Sequence, residues 1–404
     1  MKHLDNVSEV TLVSENIFPV TAPPFSGYIK VAGGTIADMG PGAPEPDAHV
    51  IDVGDNMIIP GLIDLHIHGY CGFDASSPDP NAVSALAKHL PRIGTTSFLP
   101  TIGAMPVEQI EQSIMLVRDL MANQTCAHDS QPSFAGAEVL GLHMEGPFLN
   151  PEKKGAMREE YLLKPSAELI ARWLKLGKGA INRVTLAPEL NGAQDVISLL
   201  VDAGVTVAAG HTMAGYQEAL DSISRGIKIA THMYNAMRGF HHREPGIVGA
   251  VLTDPRVWAE LICDGIHVHP AALLVVVHCK GPGRVCLVSD ALAPAGLPPG
   301  TYSSLGHEVT VDEQGRTYLP DGSLAGSTAT LLDGVRNMVR WTGRGLDQIL
   351  PMATINPARL AGVSQTKGSL APGKDADLVV IDDEYNVVFS MVRGKIIENT
   401  GKSS

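Results

Sequence analysis

The feature that most constrains this chain is an alternation. Between about residues 61 and 362, short apolar runs recur, and stretches of helical periodicity separate them. The runs are LIDLHIH (62–68), TSFLPT (96–101), VLGLHME (139–145), RVTLAPE (183–189), VTVAAGH (205–211), IKIATHM (227–233), AELICDG (259–265) and RVCLVSD (284–290). Between them lie amphipathic segments such as NAVSALAKHL, VEQIEQSIMLVRDLM, SAELIARWLKL, AQDVISLLVDAG and YQEALDSIS. Strands alternating with helices imply a mainly parallel sheet, and eight such units over about 300 residues fit an α/β fold of the (β/α)8 TIM-barrel type. The alternative is an open doubly wound sheet. It is disfavoured because no GxGxxG opens a helix after a first strand.

The two ends have a different texture. Residues 1–60 read as short strands punctuated by Gly, Pro and Asp, and GSLAPGKDADLVVIDDEYNVVFSMVRGKII (368–397) resumes that pattern. The expected organisation is therefore a small β-sandwich domain assembled from residues 1–60 and 363–404, around a catalytic barrel spanning 61–362.

Composition narrows the partners. With 44% hydrophobic and 18% charged residues, the 404-residue chain can bury a sizeable core. A formal net charge of −13 argues against nucleic acid as the main partner, though a local cluster of cations can still hold a small phosphorylated ligand. The five cysteines are odd in number and widely spaced with no CxxC, which predicts free thiols in a reducing cytoplasm. The N-terminal MKHLDNVSEVTLVSEN has no long apolar stretch and does not read as a signal peptide. No apolar run is long enough for a membrane span.

Polar residues gather where these strands end. The first run ends in His66 and His68, the third in His143 and Glu145, the fifth in His211, the sixth in His232 and the eighth in Asp290. Residues at i and i+2 of a strand share a face, so His66 and His68 project together. Each residue has an ordinary alternative. His211 could bond a loop, Asp290 could cap a helix, Glu145 could serve a turn before Gly146-Pro147, and His232 could be a core imidazole. Together they fall at the C-terminal face of the barrel, where active sites lie. A buried group of imidazoles and carboxylates is costly unless it is paired or metal-bound. Zinc takes His nitrogen and carboxylate oxygen and, in catalytic sites, leaves one position open.

These motifs resemble the amidohydrolase superfamily, and within it the N-acetylglucosamine-6-phosphate deacetylases. The resemblance is carried by GLHMEGPFLNPEKKGA (141–156), TLAPE (185–189), GHT (210–212), THMYNAM (231–237), REPGIVG (243–249), DGIHV (264–268), LVSDA (287–291) and LAGS (324–327), and it covers nearly the whole chain. HxH alone is a weak signal; HMEGPF with HMYNAM and SDA is a strong one. The resemblance implies hydrolysis of the 2-acetamido group of an amino-sugar phosphate, giving glucosamine 6-phosphate and acetate. It implies Glu145, His211 and His232 as main metal ligands, with His66 and His68 adding a second ion where both are His, so that one or two divalent ions, zinc foremost, are expected. It implies Asp290 as the catalytic acid/base. Ala156, Asn235, Ala236, Arg243 and His267 are implied around the sugar and its phosphate, and the counterpart of Arg243 reaches across a homodimer interface.

Elementary chemistry agrees with that reading. An amide is a poor electrophile and water a poor nucleophile, and a divalent ion improves both. Asp290 is the candidate to carry the proton from water to the leaving amine. In HHREPG (241–246), Arg243 offers a planar fork for phosphate oxygens with His242 beside it, whereas His241 reads as a bystander. One departure stands out. KKGAM ends in Met157 where some relatives have His, and Met donates no hydrogen bond, so the metal or a neighbour such as His143 has to polarise the carbonyl. Two competing readings remain: an amidohydrolase acting on another N-acyl substrate, such as an N-acetylgalactosamine phosphate or an N-acyl amino acid, and a non-enzymatic scaffold. The scaffold is disfavoured because the ligand and acid/base positions are all filled.

Overall fold

The structure, a computed structural model, describes residues 9–45, 49–126 and 136–399. Expectations for residues 1–8 and for the side chain of Cys126 lie outside the described residues. Cys71, Cys263, Cys279 and Cys286 are free thiols.

The alternation produces eight parallel staves in chain order. They are Leu62–Ile67, Thr95–Ile102, an interrupted third stave (Glu138–Val139 and Leu142–Glu145), Ile181–Leu186, Thr206–Ala209, Ile229–Ala230, Trp258–Ile262 and Val285–Val288. Beyond the regular ladder the last stave meets the first: Asp290 N donates to His66 O at 2.9 Å, and His68 N donates to Ala291 O at 2.9 Å. Strand periodicity then sorts the side chains. In the eighth stave Val285 and Leu287 join the cluster packed under the helices, while Cys286 and Val288 join a separate apolar group with Ile63, Leu65, Leu99 and Ala208. The helix Ile355–Leu360 closes that end of the barrel, adding Ala358 and Leu360 to the group, and Thr206 Oγ1 donates to Leu360 O at 3.0 Å.

The helices follow the amphipathic segments. Ala167–Gly177 starts at Ser166, whose hydroxyl accepts from Leu169 N, and it buries Ile170 and Trp173. Residue 178 leaves the helix in the left-handed region.

Strands from both chain ends share one mixed sheet. Met57–Pro60, which leads directly into the first stave, pairs antiparallel with Leu378–Ile381. Hydrogen bonding links all of these strands into a single sheet rather than two separate ones. The sheet encloses a core of its own, including Leu12, Ile29, Ile58, Leu378 and Phe389, while Ile59, Val379 and Ile381 belong to the barrel's cluster. A buried ion group joins the two parts. Lys367 Nζ sits 2.7 Å from Glu138 of the third stave, 2.8 Å from Asp375 and 2.5 Å from Asp377. Burial lowers the Lys367 pKa, but the three carboxylates more than reverse this. These carboxylates lie close enough together to hold a metal ion, and the ammonium takes that place.

After the eighth stave the chain inserts a three-stranded antiparallel sheet, Gly300–Ser304, His307–Val311 and Thr317–Tyr318. The sequence reading singles out none of these strands. They are short and half-exposed, so no long apolar period marks them. Leu292, Val309 and Ala325 pack there against Ala156 and Leu305.

Candidate metal centre

Three cluster residues stand just past stave ends in a backbone conformation that side chains rarely adopt. His211, His232 and Asp290 have φ of 49°, 29° and 49°. Such residues cost roughly 1–3 kcal/mol each and persist only where the surroundings enforce them. The turn swings each side chain across the mouth of the barrel. On the first stave a register irregularity between Asp64 and Ile67 interrupts the ladder. The buried Asp64 carboxylate compensates, accepting from His66 N at 3.2 Å and Ser289 N at 3.3 Å. Burial pushes the Asp64 pKa up to about 6.

Four imidazoles converge on Glu145. Its Oε1 lies 3.1 Å from His211 Nε2 and 2.9 Å from His232 Nε2, and these two nitrogens are 3.1 Å apart. Its Oε2 lies 3.1 Å from His68 Nε2 and 3.3 Å from His66 Nε2. Those nitrogens are 3.2 Å apart, and Asp290 Oδ1 stands 3.3 Å from each. One carboxylate thus bridges two ligand sets, three atoms on one side and four on the other. Every residue in both sets is buried.

The ring partners show that these sets fit a cation. His211 Nδ1 is 2.8 Å from Lys153 O, and His68 Nδ1 is 3.1 Å from Thr101 O. His66 Nδ1 is 2.8 Å from Glu260 Oε1. These oxygens only accept, so each Nδ1 carries the proton, and in a neutral ring the Nε2 lone pair points into the cluster. Several lone pairs and two carboxylates aimed at one small volume need a shared proton or a metal. Without a metal, protons fill that role. Burial lowers the His66 pKa, but the Glu145 and Asp290 charges raise it well above the ordinary value. His68 is likewise lifted to about 9 against the effect of burial. Glu145 is held well below its ordinary range, chiefly by His66 once the opposing effect of burial is overcome. A divalent ion held here would take the place of those protons.

Beneath the cluster lies a fully buried polar layer. Arg183 forms an ion pair with Glu260, and its Nη2 donates to Thr231 Oγ1 at 3.1 Å. Glu260 Oε1 accepts from His66 Nδ1 and, at 3.1 Å, from His232 N. His143 belongs to this layer. Its Nδ1 is 3.1 Å from Thr101 Oγ1 and its Nε2 is 2.8 Å from Thr185 Oγ1. Burial, with the Arg183 charge next in effect, holds its pKa well below the ordinary value. With both nitrogens engaged below the mouth, His143 is not free to polarise a substrate carbonyl.

The expected substrate residues are divided in space. Asn235 and Ala236 stand three and four residues after His232, and Asn235 Nδ2 donates to His232 O at 3.2 Å. Ala156 packs beside Leu292 and Ala325 under the inserted sheet. His267 is tied at both nitrogens, with Nδ1 2.6 Å from Asp264 Oδ2 and Nε2 2.7 Å from Ala325 O. Burial opposes its charge, but Asp264 lifts its pKa to about 9. His242 and Arg243 sit on an exposed loop, Arg243 Nη1 2.8 Å from His242 Nε2. Among the described residues, neither is bonded to a member of the cluster.

Met157 is buried beside Ala104 and Leu149, and its sulfur accepts from Ala104 N at 3.3 Å. It borders a cavity of about 580 Å³ whose walls include Asp74, Ser76, Gly103 and Arg158. The sequence reading missed Glu260, Arg183 and Thr101. One signal was available: charged residues inside the apolar runs AELICDG and RVTLAPE have to be paired once buried.

Comparison with known proteins places this architecture. The model of the amidohydrolase family matches residues 57–397. The chain is 35% identical over 393 residues to N-acetylglucosamine-6-phosphate deacetylase of Bacillus subtilis (strain 168), covering 96% of each. It is 36% identical over 371 residues to N-acetylgalactosamine-6-phosphate deacetylase of Escherichia coli O157:H7, covering 91% of this chain and 94% of that protein. A mutant of N-acetyl-D-glucosamine-6-phosphate deacetylase from Mycobacterium smegmatis, solved in complex with N-acetyl-D-glucosamine-6-phosphate, superposes with a TM-score of 0.88. It is 30% identical, and the match covers 96% of this chain and 99% of that one.

Proposed function

The chain belongs to the amidohydrolase family, and we propose that it hydrolyses the N-acetyl group of N-acetylglucosamine 6-phosphate, releasing acetate and glucosamine 6-phosphate. The observation that carries this reading is the bridging of Glu145, with one oxygen toward His211 and His232 and the other toward His66 and His68, whose Nε2 atoms Asp290 also meets. The relatives named for this reaction add the substrate class.

His211 and His232 would hold one divalent ion with Glu145, and His66 and His68 would hold a second with the same carboxylate. The oxygen and imidazole donors suit zinc. A divalent ion bound there acidifies water and polarises an amide carbonyl. Asp290 takes the proton of the attacking water as oxygen bonds to the carbonyl carbon. It returns that proton to the amine nitrogen as the C–N bond breaks. Met157 has no proton to donate to the carbonyl, and His143 serves as a brace between Thr101 and Thr185. Ala156, Asn235 and Ala236 line the sugar, and Arg243 with His242 meets the phosphate; His267, tied to Asp264 and Ala325 O, reaches the substrate by exchanging its bond to Ala325 O.

Arg243 acts from a partner subunit in a homodimer. Its loop carries Phe240 at 58% exposure beside exposed His241 and His242, a mixed apolar and cationic edge suited to an interface. The free thiols and a phosphorylated substrate fit a cytoplasmic setting. Among the described residues, no helix is long and apolar enough to cross a membrane.

The test is acetate release from N-acetylglucosamine and N-acetylgalactosamine, each with and without the 6-phosphate. Fastest turnover of the phosphorylated gluco sugar is expected. The 36% identical relative named for the galacto epimer makes that sugar the second reading, and preferential turnover of it would replace the first.

A further inference from the structure

Four imidazoles face the cluster, and their supports differ. His68 and His211 rest on neutral backbone carbonyls, those of Thr101 and Lys153. His232 Nδ1 is buried without a hydrogen-bond partner. Only His66 rests on a carboxylate, Glu260 Oε1 at 2.8 Å. Glu260 is fully buried, and Arg183 pairs with its other oxygen. Thr231 and Thr185 fix that network in turn, with Arg183 Nη2 3.1 Å from Thr231 Oγ1 and the two threonine oxygens 2.8 Å apart.

A fully buried ion pair is a weak source of stability, since well-packed apolar residues of the same volume often do as well or better. Stability of the fold alone therefore gives little reason for Arg183 and Glu260 in the barrel interior. Their contact with His66 does. A carboxylate behind a ligating imidazole fixes the tautomer and ring orientation and makes the ring a better donor. Glu260 keeps the His66 proton on Nδ1 and so leaves Nε2 to point at Glu145 Oε2 and Asp290 Oδ1.

We propose that Glu260, clamped by Arg183, is the positioning residue that decides whether this chain holds a second divalent ion, at His66, His68, Glu145 and Asp290. The ion at His211 and His232 depends on Glu260 only through the His232 backbone. The inference rests on the metal-dependent reading above, but its test counts metal rather than product, so a protein that fails to deacetylate the sugar does not affect it.

Metal-free protein is titrated with zinc, and separately with cobalt followed by its visible absorption. Bound metal per chain is measured by elemental analysis. Wild type should take two ions. Glu260→Gln should keep the first, with the second weakened about 10- to 100-fold. Glu260→Asp keeps the charge beside Arg183 but withdraws it from His66, and should show the same loss. His66→Asn sets the one-ion reference. Equal weakening of both ions, unchanged affinity for the second, or a wild type that never exceeds one ion overturns the proposal. Should both Glu260 variants fail to fold, the zinc-loaded wild type decides. It should give a downfield imidazole N–H signal in proton NMR that vanishes in His66→Asn and persists in His68→Asn, and its absence has the same consequence.

Discussion

The floor and the rim of this site are built on opposite principles. At the floor, His66, His68, Glu145, His211, His232 and Asp290 are all buried, and neighbouring donors and acceptors fix nearly every ring. At the rim, His241, His242 and Arg243 are exposed on one loop and bond mainly to one another. A buried polar group left unpaired costs several kcal/mol, so the floor has to be complete within one chain. An exposed loop carries no such penalty and can wait for a ligand or a partner. If this contrast governs function, substitutions should lose force from floor to rim.

Glu145→Gln tests the floor most severely. It removes the one carboxylate of the His211–His232 set and one of the two carboxylates of the His66–His68 set. Turnover should fall by at least about a thousandfold, the several kcal/mol that a metal's charge supplies. Bound metal should fall with it. A variant that keeps two tightly bound ions would show that Glu145 is not the bridge.

Asp290→Asn probes one step higher. The amide oxygen still stands near His66 and His68, but the amide does not accept the proton. The expected loss is about 10²- to 10⁴-fold in turnover with the fold intact. Near-normal turnover would move the acid/base role elsewhere.

Between floor and rim lies His267, whose charge Asp264 stabilises. Its folded pKa of about 9 stands above the ordinary 6.5. The contribution to stability is therefore fully present below about pH 6.5 and is lost as pH rises through 9. One pKa unit corresponds to about 1.4 kcal/mol, so the loss is at most ~3 kcal/mol. His267→Gln, whose amide can still donate to Ala325 O, should flatten this part of the curve in denaturant melts across that window. An unchanged slope would mean that the pair does not titrate there.

The same contrast explains what the sequence revealed. Staves and floor were legible because burial imposes period and position. His66, Glu145, His211, His232 and Asp290 each end an apolar run, and that placement alone gathers them at one face of a barrel. Glu260 and Arg183 were hidden because they sit inside such runs, and their pairing spans 77 positions that no local pattern connects. The inserted sheet was hidden because its strands are short and half-exposed. The surroundings of His143 were hidden for a related reason. Its spacing matches Glu145, but depth along the stave, which spacing does not give, puts its ring between two threonines.

The rim yields the smallest effect and the sharpest discrimination. Arg243 has no bond to the cluster within its own chain, so Arg243→Ala should leave metal content, fold and the turnover of unphosphorylated substrates nearly unchanged. Losing a guanidinium that grips phosphate removes binding common to ground and transition state, so KM should rise while kcat holds. A charge-assisted contact of about 1.5–3 kcal/mol corresponds to a rise of roughly 10- to 100-fold for the 6-phosphate substrate. Under the homodimer proposed above, Arg243 reaches that phosphate from a neighbouring subunit. Mixing Arg243→Ala with Asp290→Asn chains should then restore a fraction of active sites, those pairing an intact Asp290 with an intact Arg243 from the partner. If mixed dimers gain nothing, Arg243 acts within its own chain. If KM rises equally with and without the phosphate, the loop shapes the site rather than reading the charge.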